Sequence, residues 1–213
     1  MKEDISYLRK TYKRGEVFFS TLKNPFNLFK SWFNEAKEDK LIDEVNAMTL
    51  STIGIDDFPK GRVVLLKEYG LDGFIFYSNY DSEKGISIKK NTKVSLSFFW
   101  PSQERQIIIK GNAEKTSSKA SDKYFSSRPK KSQIAAILSK QSHHLSSYNE
   151  LVAKMSLLEK KYQNISPKRP VNWGGYRVEP GQFEFWQGRP NRLHQRFLFY
   201  LENSKWSSKI LSP

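Results

Sequence analysis

A cationic stretch near the C-terminus is the first place where residue types and spacing suggest chemistry. The segment FEFWQGRPNRLHQRF places Arg192, His194 and Arg196 two residues apart. If this segment is a β-strand, the three side chains leave the same face of a sheet. Such a row of cationic donors repels itself unless water solvates it or an anion neutralises it. Two interpretations stay open, a solvated edge strand and the wall of an anion site.

Two further groups of donors could bind anions. Tyr124, Arg128 and Ser132 follow one another at intervals of four where one predicted helix ends and another begins. Arg, Ser and Tyr donors near a helix N-terminus favour phosphate. Arg62 and Lys67 lie at opposite ends of an apolar predicted strand, and their odd spacing sends them to opposite sides. Taken singly, each of these cations is better explained by a solvated surface position.

Composition limits the partners and the chemistry. The 213 residues carry 36 Lys plus Arg against 22 Asp plus Glu, a formal net charge of +14. A charged partner should therefore be an anion, either nucleic acid, an anionic membrane surface or a phosphorylated small molecule. The absence of cysteine excludes disulfides and a thiol nucleophile. Three histidines, His143, His144 and His194, are too few and too poorly spaced for an all-histidine metal site, so no metal is predicted.

The N-terminus carries charges throughout and lacks the apolar core of a signal peptide. No apolar run approaches the length that crosses a membrane. These observations predict a soluble, cytoplasmic protein without a membrane partner. The length suits one domain with a single core.

The elements that must position these residues form a β-rich, then helical, then β-rich order, which predicts one α+β domain. Asn24 and Pro25 should begin an amphipathic helix. Short apolar runs predict strands at 47–54, 61–69, 73–80, 93–100, 105–115, 173–180, 181–188, 192–202 and 205–211. Helical segments are predicted at 81–91, with Asp81 or Ser82 as N-cap, and at 117–129, 132–140 and 146–163. Pro129 should separate the second segment from the third. Turns are expected at 180–181, 188–190 and 203–204.

An ordered set of segments carries a family resemblance. The segments are RVVLLK, FYSNYDSEK, SLSFFWPSQERQIIIKG, KYFSSRP, SQIAAILSKQS, NWGGYRV and EFWQGRPNRLHQRF. In this order the chain resembles pyridoxamine 5'-phosphate oxidases, FMN-dependent enzymes, from about residue 8 to residue 213. The resemblance implies an FMN-binding split β-barrel of the α+β class with peripheral helices. Residues 23–213 would form this single domain, and residues 1–22 would close over the substrate.

The resemblance also implies a homodimer whose sites draw on both chains, and roles for individual residues. FMN would be held by Arg62, Val63, Val64, Leu65, Leu66, Lys67, Tyr77, Ser78, Lys84, Gln106, Gln141, Ser142, Trp186 and Arg196. The substrate would be bound by Arg9, Lys10, Thr11, Tyr12, Lys67, Tyr124, Arg128, Ser132, Arg192, Leu193 and His194. Arg192 and His194 would lie over the substrate ring and serve catalysis.

The implied reaction is the oxidation of pyridoxamine 5'-phosphate or pyridoxine 5'-phosphate to pyridoxal 5'-phosphate. Molecular oxygen would be the final acceptor, giving hydrogen peroxide, and the amine substrate would also release ammonia. Neither nucleic acid nor a membrane is expected as a partner. Two rivals remain, another split-barrel flavin oxidoreductase and a non-enzymatic basic barrel that binds nucleic acid.

The sequence departs from the family pattern in three places. Glu83 stands in Ser82-Glu83-Lys84 where the family commonly has arginine, and a carboxylate beside a phosphate weakens binding unless it turns outward. The run from Ala135 to Ile137 replaces a usual Gly-Ala-Trp, and Ile210 replaces a common arginine. These last two departures are expected to alter packing at the dimer interface more than the reaction.

Overall fold

The computed structural model describes residues 4, 5, 7, 8, 11–13 and 24–213, and two compact units make up the chain. The first unit comprises Met1–Thr49, Leu96–Lys110 and Gly181–Pro213, and the second comprises Leu50–Ser95 and Gly111–Pro180. The single domain expected for residues 23–213 stays a prediction.

The described residues form five α-helices and nine strands. The helices are α1 (Pro25–Glu38), α2 (Glu83–Lys90), α3 (Ser118–Ser127), α4 (Lys130–Leu138) and α5 (Tyr148–Lys161). The strands are β1 (Ala47–Ile53), β2 (Pro59–Leu65), β3 (Glu68–Gly70), β4 (Gly73–Asn79), β5 (Lys93–Trp100), β6 (Arg105–Lys115), β7 (Trp173–Gln187), β8 (Gln195–Glu202) and β9 (Lys205–Leu211). The pairing order is β2-β1-β5-β6-β7-β4-β3, with β8 on β7 and β9 on β8.

The first unit is built on an aromatic core around α1. The helix begins as its sequence predicts, because the side chain of Asn24 accepts a hydrogen bond from the Phe26 N–H and Pro25 has no N–H that would need an acceptor. Trp32 meets Phe185 edge to face, with ring centroids 5.4 Å apart. In this unit the end of β7 pairs with β8, so that Trp186 lies opposite Arg196.

The second unit carries the other candidate residues on β2 and β4, at helices α2 to α4 and in connecting segments. β4 pairs with β3 and with the start of β7, which brings Tyr77 opposite Gly175. Helix α2 begins at the predicted N-cap, Ser82, whose hydroxyl accepts from the Gly85 N–H. Pro129 separates α3 from α4, as its effect on the preceding residue predicts.

Two strand predictions were wrong in their boundaries. The predicted strand 61–69 is two strands, because β2 ends at Leu65 and β3 begins only at Glu68, with Leu66 between them buried at 3% exposure. The expected turn at Pro180-Gly181 is absent, and β7 continues through it. Pairing with β4 before this point and with β8 after it overrides the local turn signal.

The prediction that Arg192, His194 and Arg196 lie on one face of a strand was also wrong. Residues Pro190–Arg192 form a 3₁₀ turn, and β8 begins only at Gln195. Asn191 and Arg192 have φ values of 57° and 62°, the left-handed region that strands do not use. Of the three cations, only Arg196 therefore lies on a strand.

Candidate active site

A cavity of about 480 Å³ in the second unit collects many of the predicted residues. We call it the Arg128 cavity. Its lining consists of Val63, Val64, Leu65, Lys67, Tyr77, Ser78, Lys84, Tyr124, Ser127, Arg128, Pro129, Ser132, Gln141 and Trp173. The structure thus brings together the predicted substrate-phosphate residues and most of the predicted flavin residues of this unit.

Arg128 is the most telling residue of this cavity. Its Nη1 atom is buried and has no hydrogen-bond partner among the described residues. The guanidinium lies over the Trp173 ring, 4.6 Å from its centroid, and burial lowers the pKa of the group. A buried donor without a partner is costly, and an anion that accepts from it would remove that cost. Ser132, in the first turn of α4, adds a hydroxyl donor and the helix N-terminus beside it.

Stacked aromatic rings form one wall of the Arg128 cavity. The rings of Tyr77 and Tyr124 stack with centroids 3.8 Å apart and planes 17° apart. Trp173 lies nearly parallel to both, 5.7 Å from Tyr77 and 6.2 Å from Tyr124. Burial raises the pKa of Tyr77 to about 12 and raises that of Tyr124. Both phenols are therefore neutral hydrogen-bond donors at physiological pH.

Lys84 supplies a second cation to the cavity. Its Nζ atom donates to Ser82 Oγ and to Gln141 Oε1, both at 3.1 Å, and Ser78 Oγ lies 3.5 Å from the same amide oxygen. Burial, followed by the charge of Arg62, lowers the pKa of this ammonium group. Its hydrogen-bond partners in the described chain are neutral oxygens, so its charge is available to a bound anion.

Three predicted flavin residues of the second unit do not line the Arg128 cavity. The guanidinium of Arg62 donates to the Leu50 carbonyl at 3.2 Å and to Thr52 Oγ1 at 2.8 Å, so it braces β1 and β2. Leu66 is part of the core. Ser142 is exposed and lines a neighbouring cavity of about 550 Å³ with His143 and His144, both of which are exposed.

The departure at Glu83 is resolved by an ion pair with Lys60. The two side chains are in direct contact, and Lys60 Nζ also lies 3.0 Å from Asp56 Oδ2. The hydrogen bond from Lys60 lowers the pKa of Glu83. Glu83 is not among the residues that line the Arg128 cavity, so its carboxylate has turned outward.

The first unit holds a separate group of candidates, which we call the Tyr12 cluster, formed by Tyr12, Trp186 and His194. The Tyr12 ring meets Trp186 and His194 edge to face at 5.5 and 5.4 Å, and Trp186 and His194 are 4.9 Å apart. His194 Nδ1 accepts a hydrogen bond from the Arg189 N–H at 3.1 Å. The neutral imidazole therefore carries its proton on Nε2 and can donate from there.

The remaining candidates of the first unit differ in how strongly they are held. Arg192 is exposed on the 3₁₀ turn, next to Leu193 at 68% exposure. Arg196 is held by Glu184 at 2.8 Å and by the Ser212 carbonyl at 3.0 Å, and the Glu184 hydrogen bond raises its pKa. Gln106 is half-buried on β6. Arg9 and Lys10 lie outside the described residues, whereas Thr11 and Tyr12 are described.

Sequence reasoning missed two residues that the structure makes prominent. Trp173 supplies both the ring under Arg128 and part of the aromatic wall. Glu104, 5% exposed, binds the backbone of Lys13 beside Tyr12. A buried carboxylate has no signature in composition or spacing. Trp173, in contrast, lay within the quoted segment NWGGYRV.

Comparison with known proteins decides the family. The profile described as "Pyridoxamine 5'-phosphate oxidase" matches residues 35–162, which is more than half of the chain. The chain belongs to the pyridoxamine 5'-phosphate oxidase family. Residues 173–213 match a second profile, "Pyridoxine 5'-phosphate oxidase C-terminal dimerisation region". The family resemblance predicted from the ordered segments is therefore confirmed.

Full-length relatives are named pyridoxine/pyridoxamine 5'-phosphate oxidase. The pyridoxine/pyridoxamine 5'-phosphate oxidase of Flavobacterium psychrophilum is 50% identical over 213 residues, covering 99% of this chain and all of the relative. The Haemophilus ducreyi protein of that name is 49% identical over 211 residues, with 99% and 100% coverage.

Solved structures confirm the predicted α+β split-barrel fold of the pyridoxamine 5'-phosphate oxidase family. PhzG from Burkholderia lata, crystallised with tetrahydrophenazine-1-carboxylic acid, superposes with a TM-score of 0.86 at 27% identity, covering 91% of this chain and 95% of that one. A family-related FMN-binding protein from Nostoc punctiforme gives 0.71 at 12% identity, with 91% and 99% coverage. Across the described residues, no helix is long and apolar enough to cross a membrane.

Proposed function

We propose that this protein oxidises pyridoxamine 5'-phosphate and pyridoxine 5'-phosphate to pyridoxal 5'-phosphate, with FMN as cofactor and molecular oxygen as acceptor. The amine reaction consumes oxygen and water and yields the aldehyde, ammonia and hydrogen peroxide. The alcohol reaction consumes oxygen and yields the aldehyde and hydrogen peroxide. Full-length relatives at about 50% identity support this substrate class.

The observation that carries the proposal is the buried Nη1 of Arg128, which has no hydrogen-bond partner among the described residues, in a cavity that also presents Tyr124 and Ser132. A guanidinium, a phenol and a hydroxyl beside a helix N-terminus match the acceptor oxygens of a phosphate monoester. We assign these three residues, with Lys67, to the phosphate of the substrate. Their task is binding and orientation.

FMN fits the remaining donors of the Arg128 cavity. The buried ammonium of Lys84, held by the neutral oxygens of Ser82 and Gln141, is suited to a phosphate that brings its own negative charge. Val63, Val64 and Leu65 add apolar surface to the same lining. When bound, FMN would accept two electrons from the substrate carbon and pass them to oxygen.

The Tyr12 cluster would complete the site from the partner subunit of a homodimer. The match of residues 173–213 to a dimerisation region supports the dimer. In this arrangement, Arg192 and His194 of one chain would face the Arg128 cavity of the other. Arg192, exposed on its turn, would press on the substrate ring and fix the reacting carbon, and His194 would donate a hydrogen bond from Nε2.

The direct test is an oxidase assay on purified protein loaded with FMN. Pyridoxamine 5'-phosphate should give pyridoxal 5'-phosphate and hydrogen peroxide in equal amounts, with uptake of oxygen. Unphosphorylated pyridoxamine is the matched control, and its kcat/KM should be lower by about 100-fold or more if the phosphate site operates. Flavin binding without turnover of the phosphorylated substrate would contradict the proposal.

A second candidate is the oxidation of another planar anion by the same flavin. The similarity to PhzG, whose crystal structure contains a tetrahydrophenazine carboxylic acid, favours this class. A carboxylate could also accept from Arg128. Comparing kcat/KM for the phosphorylated B6 substrates with that for planar carboxylates separates the two candidates.

A further inference from the structure

Glu104 occupies an unusual position at the start of β6. It follows the 3₁₀ turn of Pro101–Gln103, its φ is 54°, and it is 5% exposed. Its carbonyl accepts from the Gly188 N–H at 2.7 Å and from Gln187 Nε2 at 3.2 Å. The Glu104 backbone is therefore bound to the end of β7, next to the turn that carries Arg192.

The Glu104 side chain binds the N-terminal part of the chain. Both carboxylate oxygens accept from the Lys13 backbone N–H, at 3.2 and 3.0 Å. A buried carboxylate requires donors, and a hydrogen bond to a charged acceptor is stronger than one between neutral groups. This contact joins positions that are 91 residues apart in sequence.

The residue that this contact holds in place is Tyr12. Its ring packs on Trp186 and His194. Gly188 makes room for it, since a β-carbon at that position would lie 3.0 Å from two atoms of the Tyr12 ring and 3.0 Å from the Glu104 β-carbon. Glu104, Gly188 and Tyr12 thus form one packed unit against His194.

We propose that Glu104 is a positioning residue that anchors residues 11–13 and thereby holds Tyr12 against His194. The inference rests on the proposed function, because it assigns Glu104 to the ordering of substrate-facing residues. Glu104 would act on the substrate only through Tyr12. Its carboxylate determines how often Tyr12 occupies the place beside the imidazole.

Limited trypsin digestion tests the anchor without reference to activity. The full-length apoprotein is digested, and the rate of cleavage after Lys13 is measured by mass spectrometry. This rate should be about 10-fold higher in Glu104→Ala, because the substitution removes a charge-assisted hydrogen bond. Glu104→Asp, which keeps the charge and tolerates the left-handed backbone, withdraws the carboxylate and should also accelerate cleavage. Glu104→Gln retains an acceptor oxygen and should stay within about threefold of wild type.

Ser102→Ala is the matched control, because Ser102 lies in the same turn and its hydroxyl donates to Asp39 at 2.9 Å. It should be cleaved at the wild-type rate. Wild-type cleavage rates in both Glu104→Ala and Glu104→Asp would overturn the proposal, as would equal acceleration in Ser102→Ala. If one Glu104 variant fails to fold, the other decides.

Steady-state kinetics add a second readout. Glu104→Asp should raise KM for pyridoxamine 5'-phosphate about 5- to 10-fold, with kcat within about threefold of wild type. Glu104→Gln should have a KM close to that of wild type. Faster trypsin cleavage with an unchanged KM would overturn the role in substrate positioning. If wild-type protein shows no oxidase activity, the proposed function fails, whereas the digestion experiment still decides whether Glu104 anchors residues 11–13.

Discussion

The Arg128 cavity and the Pro190–Arg192 turn beside the Tyr12 cluster hold their cations in opposite ways. In the cavity, Arg128 and Lys84 are partly or largely buried, stand on helix termini and carry lowered pKa values. In the other region, Arg192 is exposed on a short turn with left-handed backbone. In the proposed function, the Arg128 cavity binds a phosphate and Arg192 positions the substrate ring. Under the proposed function, burial would fix a phosphate in the cavity, whereas Arg192 would stay exposed because it would meet the substrate of the partner subunit.

The largest expected effect comes from the cavity. Arg128→Ala should lower kcat/KM for pyridoxamine 5'-phosphate by about 30-fold to 4,000-fold, equivalent to about 2–5 kcal/mol, chiefly through KM, because a desolvated charge pair is lost. Bound FMN should be retained. Lys131→Ala, on the same helix as Ser132 but 84% exposed, is the control and should be near wild type. Loss of FMN with unchanged substrate affinity would reverse the assignment of Arg128.

Arg192→Met probes the exposed cation of the other region. It keeps the length and the apolar stem but removes the charge and the donor fork, so kcat/KM should fall about 100-fold with a normal flavin spectrum. Anaerobic stopped-flow reduction of the flavin isolates the affected step. Lys205→Met, an exposed cation on β9, serves as the control. Reduction at the wild-type rate and affinity would make Arg192 an ordinary surface residue.

His194→Asn should have a smaller effect, about 10-fold on kcat/KM, because the amide can still accept from the Arg189 N–H. His194→Ala removes that acceptor and the ring on which Tyr12 packs, and should be worse. The pair of variants is compared by pH-dependent steady-state kinetics. A loss in His194→Asn as large as that in Arg192→Met would point to proton transfer instead of hydrogen bonding.

The smallest effect is expected at Glu83. Since Lys60 neutralises its carboxylate outside the cavity lining, Glu83→Gln should change FMN affinity by less than about threefold. Fluorescence titration of apoprotein with FMN gives the value. A tightening of about 10-fold or more would show that the carboxylate faces the flavin phosphate after all.

Local signals predicted the elements well where sequence and packing agree. Asn24-Pro25 and Ser82 cap α1 and α2 as expected, and both strands of the pair β8-β9 were found. The turn expected at Pro180-Gly181 failed because strand pairing on both sides outweighs it. The end of β2 at Leu65 was not predicted, because the apolar sequence continues into Leu66 and gives no turn signal there.

The candidate site was predictable only in part, for a physical reason. Tyr124, Arg128 and Ser132 lie close together in sequence, at the end of α3 and the start of α4, so their proximity can be predicted from the chain. The contacts of Trp173 with Arg128 and of Glu104 with Lys13 join residues distant in sequence, so no spacing encodes them. The placement of Arg192 depends on positive φ values at Asn191 and Arg192. Within PNRLH, only the asparagine is a residue type that commonly adopts such values.

Subunit complementation tests the central claim, that each site joins the Arg128 cavity of one chain to the Arg192 turn of its partner. Arg128→Ala and Arg192→Met homodimers are unfolded together, refolded as a mixture and assayed with pyridoxamine 5'-phosphate. Half of the dimers should be hybrids with one intact site each, restoring roughly a quarter of wild-type activity. Activity no higher than that of the separate mutants would contradict the account, since it would place both residues of a site in the same chain.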